Sequence, residues 1–266
     1  MTLLPENIRS LILDMDGVLW TDTAPIGDLP GIFDHIRKLG LGFAMATNNS
    51  SRTVTQYVER LAAFGVQVEP WQVVTSSLAV ASLMTDKLPA GAPVFAIGEQ
   101  GLRDALKTAN FEVLPVEQAE KAEAVVMGID WSINYEKMRE ATLLVRSGKP
   151  FFATNPDLTF PSQRGQIPGA GAWIAVVVAA TDIQPIYAGK PYPFILEMAL
   201  KRLGSSKNDT LIVGDRLETD IAGGQALGCP TALVLSGISK LSQARVWPKP
   251  MEIIADDLAS LVGFIS

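Results

Sequence analysis

Short apolar runs alternate with segments of helical periodicity along the chain. Residues 8–13, 42–47, 210–214 and 231–235 read as buried strands. Apolar positions recur at helical spacing near residues 30–40, 52–65, 76–87, 193–203 and 219–227. This alternation predicts an α/β fold in which helices cover both faces of a parallel sheet.

The middle of the chain holds a second series of alternating elements. Strands are predicted at 94–97, 124–128 and 150–153, and helices at 99–109 and 135–147. Polar segments that suit a single site lie both before and after this stretch. We therefore expect a core formed by residues 1–84 and 183–266, an inserted α/β cap domain formed by 85–182, and a substrate held between cap and core.

Four polar segments lie at the carboxyl ends of predicted strands. In a parallel sheet, ligands bind beyond the carboxyl ends of the strands, so these segments predict one shared site. In chain order they are Asp14-Met15-Asp16-Gly17, Thr47-Asn48-Asn49, Gly189-Lys190-Pro191 and Gly214-Asp215 through Asp220.

Asp14 and Asp16 follow a buried strand one residue apart, so both side chains can address one side of the strand end. Taken alone, the segment is more often just an acidic turn. In the company of the other segments, Asp14 is the candidate nucleophile. Asp16 is the candidate acid and base, which protonates the leaving oxygen and then deprotonates water. Gly17 lets the chain turn away without a Cβ clash.

A carboxylate that attacks a phosphate ester needs positive charge beside it. We expect Mg²⁺ held by Asp14, the backbone carbonyl of Asp16 and Asp215, because this ion prefers oxygen ligands. Asp220 follows Asp215 by about one helical turn and is predicted to orient the groups around the metal. Its acidic side chain is equally compatible with simple stabilisation of a helix N-terminus.

Thr47, Asn48 and Lys190 are the candidate phosphate-binding residues. Thr47 offers a hydroxyl, Asn48 a backbone N–H, and Lys190 a point charge. Thr and Asn are also common helix caps, and a lone Lys in a turn usually faces solvent. These assignments therefore depend on the four segments occurring together.

Composition excludes several other functions. The net charge of −6 without a basic run argues against nucleic acid as a partner. The longest apolar run, residues 172–180, is too short to span a bilayer and reads as a buried helix, so no membrane partner is expected. The N-terminus has neither a basic region nor a cleavable apolar stretch, which predicts a cytoplasmic location.

The single cysteine and the single histidine restrict the chemistry further. Cys229 is the only cysteine, which excludes an intramolecular disulfide and a thiolate zinc cluster. We interpret it as a small core thiol. His35 falls on the polar face of a predicted helix and reads as a solvated surface residue. This position excludes a histidine nucleophile and a Ser-His-Asp triad.

The four polar segments resemble the four motifs of the haloacid dehalogenase superfamily, and the Asp14–Asp16 pair resembles its phosphatase branch. Longer stretches, such as residues 16–20, 47–53 and 214–221, are similar to the NagD-like group, which includes 4-nitrophenyl phosphatases. The resemblance implies a Rossmann-like core and a large α/β cap inserted after the second motif. It also implies a Mg²⁺-dependent aspartyl-phosphate mechanism and a homodimer formed through the cap.

Substrate choice is expected to depend on the cap loop at residues 155–166, where the resemblance places the substrate-facing segment. Phe160 is the candidate contact with the leaving group, although an ordinary core aromatic would explain it as well. Trp131 stands where relatives often carry a basic residue.

These observations predict a phosphatase acting on small phosphate monoesters, such as 4-nitrophenyl, sugar, nucleotide or glycolate phosphates. Its partner would be a small phosphorylated metabolite. Two alternatives stay open: a phosphotransferase between small metabolites that uses the same Asp14 intermediate, and a catalytically silent metabolite-binding protein. The intact set of Asp14, Asp16, Lys190 and Asp215 argues against the silent protein.

Overall fold

The computed structural model describes residues 3–162 and 164–265. Gln163, which falls inside the predicted specificity loop, lies outside the described residues. The strands are β1 (Ser10–Leu13), β2 (Trp20–Thr21), β3 (Ala24–Pro25), β4 (Gly42–Thr47), β5 (Val73–Thr75), β6 (Pro93–Ile97), β7 (Glu112–Leu114), β8 (Ala124–Met127), β9 (Phe151–Ala153), β10 (Thr159–Ser162), β11 (Gly165–Pro168), β12 (Ile186–Tyr187), β13 (Thr210–Gly214), β14 (Thr231–Val234) and β15 (Ile253–Ala255).

The α-helices alternate with these strands, and short 3₁₀ turns cover Pro70–Gln72 and Val116–Lys121. A π-helical turn, Leu217–Ile221, leads into the eighth helix. The α-helices are α1 (Leu29–Lys38), α2 (Val54–Ala63), α3 (Ser76–Thr85), α4 (Gln100–Thr108), α5 (Tyr135–Arg146), α6 (Ala170–Thr181), α7 (Phe194–Leu203), α8 (Ala222–Leu227), α9 (Leu241–Ala244) and α10 (Leu258–Val262).

The chain forms two compact units. The first, called the core unit here, contains the residues up to Thr47, Thr55–Val74 and the residues from Lys190 onward. The second, called the inserted unit, contains Asn48–Val54 and Thr75–Gly189. The inserted unit is thus wider than residues 85–182, and those sequence-based domain limits stay a prediction.

The core unit is built on a six-stranded sheet with the order β15-β14-β13-β1-β4-β5. β1 pairs in parallel with β13 on one side and β4 on the other, and Leu13 lies opposite both Val213 and Met45. All four residues of β1 are buried, as expected for a central strand covered on both faces. This arrangement confirms the predicted α/β fold with a parallel sheet, and it brings the ends of β1, β4 and β13 to one edge.

The inserted unit has its own parallel sheet, with the order β12-β9-β8-β6-β7, and a separate antiparallel hairpin, β10–β11. Its apolar core lies under α5 and α6 and includes Phe95, Met127 and Ile174. The strands and helices predicted between residues 94 and 153 are present, while β7, β10 and β11 were not predicted from the sequence.

Helix α6 corrects one expectation. The apolar run at 172–180 was expected to be a buried helix, but only one face of α6 is covered, with Ile174 and Val177 buried. On the opposite face Ala175 and Ala179 are exposed, and Val176 retains 47% of its accessible surface. A run without polar residues carries no signal for which face meets solvent.

None of the helices among the described residues has the length and apolar character needed to cross a membrane, and the cytoplasmic location stays a prediction.

His35 is a second correction, since it is not a fully solvated side chain. Its Nε2 lies 3.1 Å from the carbonyl oxygen of Val262, and its ring packs against Phe264 at 5.9 Å. Helix α10 follows strand β15 and covers this part of α1, a contact that helical periodicity cannot reveal.

Cys229 is a buried free thiol, as predicted, and burial raises its pKa to about 11.

Candidate active site

Lys190 is the centre of a buried polar cluster in the core unit. Its Nζ donates to Oδ1 of Asp14 at 2.6 Å, to Oδ1 of Asp220 at 2.6 Å and to the carbonyl oxygen of Ala46 at 2.7 Å. An ammonium group has three donors, so all three are used. Lys190 is only 2% exposed, which removes the alternative of a solvent-facing lysine in a turn.

Three carboxylates surround this lysine or lie close to it. One oxygen from each of Asp14, Asp215 and Asp220 can be chosen so that all three lie within 4.8 Å of one another. Strand pairing explains the meeting of Asp14 and Asp215, because the N–H of Asp14 donates to Val213 at 2.8 Å and both residues leave neighbouring strand ends.

Backbone contacts fix the two later carboxylates. Oδ2 of Asp215 accepts from the N–H of Ile238 at 2.7 Å. Oδ2 of Asp220 accepts from the N–H of Arg216 at 3.1 Å, which stabilises the start of the π-helical turn. Asp220 therefore has a local structural role as well as its contact with Lys190, and the two interpretations offered by the sequence are compatible.

Burial dominates the electrostatics of this cluster. It raises the pKa of Asp14 well above its usual range against the opposing charge of Lys190, and the charges of Asp220 and Asp215 raise it further. Burial and then the charge of Asp220 raise the pKa of Asp215 to about 7. Burial alone would lower the pKa of Lys190, but Asp14 and Asp220 outweigh it and raise that pKa.

The donor set fits a hard divalent cation. Asp14, Asp215 and Asp220 offer only oxygen ligands, which Mg²⁺ prefers. Three carboxylates lie near one ammonium, and burial together with their mutual repulsion raises the pKa of Asp14 and of Asp215. A bound cation would stabilise the ionised form of both carboxylates.

The remaining predicted residues are placed differently. Thr47 is the buried last residue of β4, next to the Ala46 carbonyl that accepts from Lys190. Asn48 belongs to the inserted unit, where its Nδ2 donates to Oδ2 of Asp157 at 3.0 Å. The carboxylate of Asp16 is outside the three-acid cluster and accepts instead from the indole N–H of Trp20 at 2.8 Å.

Phe160 lies on the β10–β11 hairpin of the inserted unit, opposite Ile167. It is half-buried and packs edge to face against Trp131, with ring centroids 5.3 Å apart. Trp131 itself is 52% exposed. Phe160 is thus not an ordinary core aromatic, and its contact with a substrate stays a prediction.

Sequence reasoning missed the loop that encloses Asp215. Oγ of Ser236 donates to the carbonyl of Gly17 at 2.7 Å, and Cβ atoms built on Gly17 and Gly237 would both collide with the Asp215 side chain. Gly17 also has a φ of +87°, which favours glycine. The Gly237 that follows β14 was the available signal, because glycine at a strand end often marks a close backbone approach.

Comparisons with known proteins agree with this geometry. Residues 11–112 match the haloacid dehalogenase-like hydrolase family, and residues 187–261 match a HAD-hydrolase-like family. The acid sugar phosphatase of Staphylococcus aureus is 37% identical over 240 residues, which is 90% of this chain and 91% of that protein.

Two solved structures cover almost the whole chain. The p-nitrophenyl phosphatase from Archaeoglobus fulgidus has a TM-score of 0.88 and 32% identity, and the match covers 96% of this chain and 98% of that one. The glycerol phosphate phosphatase Rv1692 from Mycobacterium tuberculosis, in complex with magnesium, has a TM-score of 0.87 and 31% identity, and the match covers 96% and 77% of the two chains.

The resemblance seen in the sequence, including that to the group containing 4-nitrophenyl phosphatases, is thereby confirmed. Similarity extends through the segments that carry Asp14, Lys190, Asp215 and Asp220, and through the inserted unit between them. The chain belongs to the haloacid dehalogenase-like hydrolase family.

Proposed function

We propose that this chain is a Mg²⁺-dependent phosphatase that hydrolyses small phosphate monoesters through a phosphorylated Asp14. The observation that carries the proposal is the buried cluster of Asp14, Lys190, Asp215 and Asp220 at the strand ends. The sugar, p-nitrophenyl and glycerol phosphatases similar to this chain support the same class of substrate.

In the first step, a carboxylate oxygen of Asp14 bonds to phosphorus while the bond from phosphorus to the ester oxygen breaks. Asp16 gives its proton to that departing oxygen, so the alcohol leaves neutral. Lys190, already 2.6 Å from Asp14, orients the attacking carboxylate and offsets the negative charge that approaches it.

In the second step, water attacks the phosphorus of the phosphorylated Asp14. Asp16, now a carboxylate, takes a proton from that water, and the bond between phosphorus and Asp14 breaks. Inorganic phosphate leaves, and both aspartates return to their starting forms. The net reaction consumes one ester and one water.

The phosphate contacts are those predicted from the sequence. Thr47 with its hydroxyl and Asn48 with its backbone N–H would hold the phosphoryl oxygens, and Lys190 would attract them by its charge. Asp14, Asp215 and the backbone carbonyl of Asp16 would hold Mg²⁺, and Asp220 would keep Lys190 in place. When bound, Mg²⁺ supplies positive charge that lowers the repulsion between the carboxylate and the phosphate.

The inserted unit would select the leaving group and form a homodimer. Phe160 and the hairpin β10–β11 are its candidate specificity elements, because this half-buried ring lies on a short hairpin outside the unit's apolar core.

The uncovered apolar face of α6, with Val176 47% exposed, supports association with a second copy. Sedimentation of wild type and Val176→Glu tests the dimer: the variant should sediment as a monomer.

The test of the activity compares wild type and Asp14→Asn on 4-nitrophenyl phosphate and an alkyl phosphate, with Mg²⁺ or with excess chelator. Wild type should release phosphate only with the metal. The nearly isosteric Asp14→Asn should keep its fold, seen in its circular dichroism spectrum, but lose more than about 99% of turnover. Full activity in chelator contradicts the metal requirement. Substantial activity of Asp14→Asn contradicts its role as nucleophile.

A companion measurement separates hydrolysis from the alternatives. Inorganic phosphate and phosphorylated acceptor are quantified in the same reaction, with a small alcohol present. A phosphotransferase would place most of the phosphoryl group on the acceptor, and a silent binding protein would release none.

A further inference from the structure

The turn after β1 folds Trp20 back onto Asp16. The N–H of Gly17 donates to the carbonyl of Trp20 at 2.7 Å, and the N–H of Leu19 donates to Met15 at 2.8 Å. These bonds bring residues 16 and 20 into a β-bridge. The indole Nε1 of Trp20 then donates to Oδ1 of Asp16 at 2.8 Å.

The indole ring has little freedom to move. Trp20 is fully buried, stacks on Tyr57 with ring planes 14° apart, and meets Phe64 at a centroid distance of 6.0 Å. Arg60 lies on helix α2, and its guanidinium carbon is 4.3 Å from the centroid of the Trp20 ring. Arg60 also donates to the carbonyl of Asp22, in the turn between β2 and β3. Packing on several sides fixes the direction of the indole N–H.

The Asp16 carboxylate, by contrast, is half-buried. Among the described residues, only Trp20 donates to it, and that bond goes to Oδ1. A protonated carboxyl group accepts at its carbonyl oxygen and donates from its hydroxyl oxygen. The bond from Trp20 therefore favours Oδ1 as the acceptor and leaves Oδ2 as the oxygen that carries a transferable proton.

We infer that Trp20 is the positioning residue for Asp16. It fixes the rotamer of the acid so that Oδ2 passes its proton to the leaving oxygen and later receives one from water. The inference rests on the proposed function, in which Asp16 is the acid and base. Trp20 itself touches neither substrate nor metal in this scheme.

The test is Trp20→Phe, which removes the N–H and keeps an aromatic ring for Tyr57 and Arg60 to pack on. An alkyl phosphate depends strongly on a proton from the enzyme, whereas 4-nitrophenolate leaves with little help. We expect kcat on the alkyl ester to fall by about ten- to a hundredfold. On 4-nitrophenyl phosphate kcat should fall less than about threefold, and KM should change little for both esters.

Trp71→Phe is the matched control, because Trp71 lies in the same unit and is 46% exposed, and in the described part of the chain the side chain that donates to Asp16 is that of Trp20. It should leave kcat and KM unchanged on both esters. A second comparison places Trp20→Phe in an Asp16→Asn background, where the additional loss on the alkyl ester should disappear. Trp20 is a structural residue, and the inference is wrong, if Trp20→Phe lowers kcat equally on both esters. The same holds if it lowers kcat further in the Asp16→Asn background.

Arg60→Met covers the case in which Trp20→Phe does not fold. It changes a side chain that is only partly buried, leaves the indole N–H in place, and removes one support of the ring. The same selective loss on the alkyl ester is expected, at several-fold size, and an equal loss on both esters overturns the inference. Wild-type protein without any phosphatase turnover would overturn the proposed function, and with it the role of Trp20.

Discussion

Nζ of Lys190 lies 2.6 Å from Oδ1 of Asp14 and 2.6 Å from Oδ1 of Asp220, so one buried ammonium joins two carboxylates that are far apart in sequence. The lysine is therefore part of the structure of the site before any phosphate binds. Removing it should change stability and catalysis together.

Lys190→Met should lower kcat at least 100-fold, roughly, because a preorganised positive charge beside the phosphoryl group is lost. It should also lower the free energy of unfolding by about 3–5 kcal/mol at pH 8, since Asp14 and Asp220 lose their buried partner. The stability loss should shrink at pH 5, because burial raises the pKa of Asp14 and lets this carboxyl protonate. Urea denaturation at both pH values measures this, with Lys201→Met on the exposed face of α7 as the control. A loss independent of pH would contradict the pairing.

Asp215→Asn should stabilise the metal-free protein at neutral and higher pH. The pKa of Asp215 is raised from 3.8 to about 7 by folding, so the folded state holds a proton that the unfolded state releases between these values. The stability contributed by this group is therefore present below the unfolded pKa and is lost as pH rises toward 7.

The measurement is urea denaturation of wild type and Asp215→Asn in chelator from pH 4 to pH 8. The stability of the variant should be close to that of wild type at pH 4 and exceed it by about 4 kcal/mol at pH 8. Added Mg²⁺ should stabilise wild type and have little effect on the variant. A difference between the two proteins that stays constant with pH would show that Asp215 does not titrate in this way.

Gly17→Ala should impair activity by displacing Asp215. A Cβ at Gly17 would collide with the Asp215 carboxylate, and its φ of +87° adds backbone strain. Gly40→Ala isolates the strain, because Gly40 has a φ of +71° but nothing within 4 Å of a built Cβ. Both variants should lose about 1–2 kcal/mol of stability. Only Gly17→Ala should require much more Mg²⁺ for half-maximal activity, and equal metal requirements would rule out the displacement.

Phe160→Ala should change substrate preference more than the chemical step. Removing one aromatic contact with a leaving group alters relative kcat/KM among bulky esters by about tenfold. A minimal alkyl phosphate should be affected far less. Tyr135→Ala, on an 82% exposed side chain of the same unit, is the control. If a folded Phe160→Ala variant loses kcat/KM equally on every substrate, the specificity element lies elsewhere.

The sequence was sufficient to predict which polar residues lie together at the ends of the core strands, and their roles stay a prediction. Asp14, Thr47 and Asp215 stand at the ends of apolar runs, and parallel pairing of β1 with β4 and β13 brings such ends to one edge. The acidic cluster could be anticipated because strand position and residue type together determine it. Asp220 lies in this cluster with Asp14 and Asp215, and the Asp16 carboxylate lies outside it.

Other features depend on contacts that no local pattern records. The bond from Lys190 to Asp220 joins two turns 30 residues apart, and the bond from Trp20 to Asp16 requires the fold of one particular turn. Helix α6 shows a different failure. Its uniformly apolar sequence predicts a helix but not which side is covered, because the amphipathic contrast that identifies a buried face is missing.

The two ends of the inserted unit touch each other, and this contact bears on how the protein folds. A Cβ built on Gly189 would lie 2.7 Å from Oδ1 of Asn48, and the carbonyl of Asn48 accepts from Nδ2 of Asn155. Once this unit has folded, Thr47 and Lys190 are separated by a closed junction instead of a long flexible loop. Most of the chain entropy of joining β4 to the lysine turn is then already lost. The inserted unit should therefore speed formation of the cluster of Asp14, Lys190, Asp215 and Asp220, in addition to its proposed role in choosing the substrate.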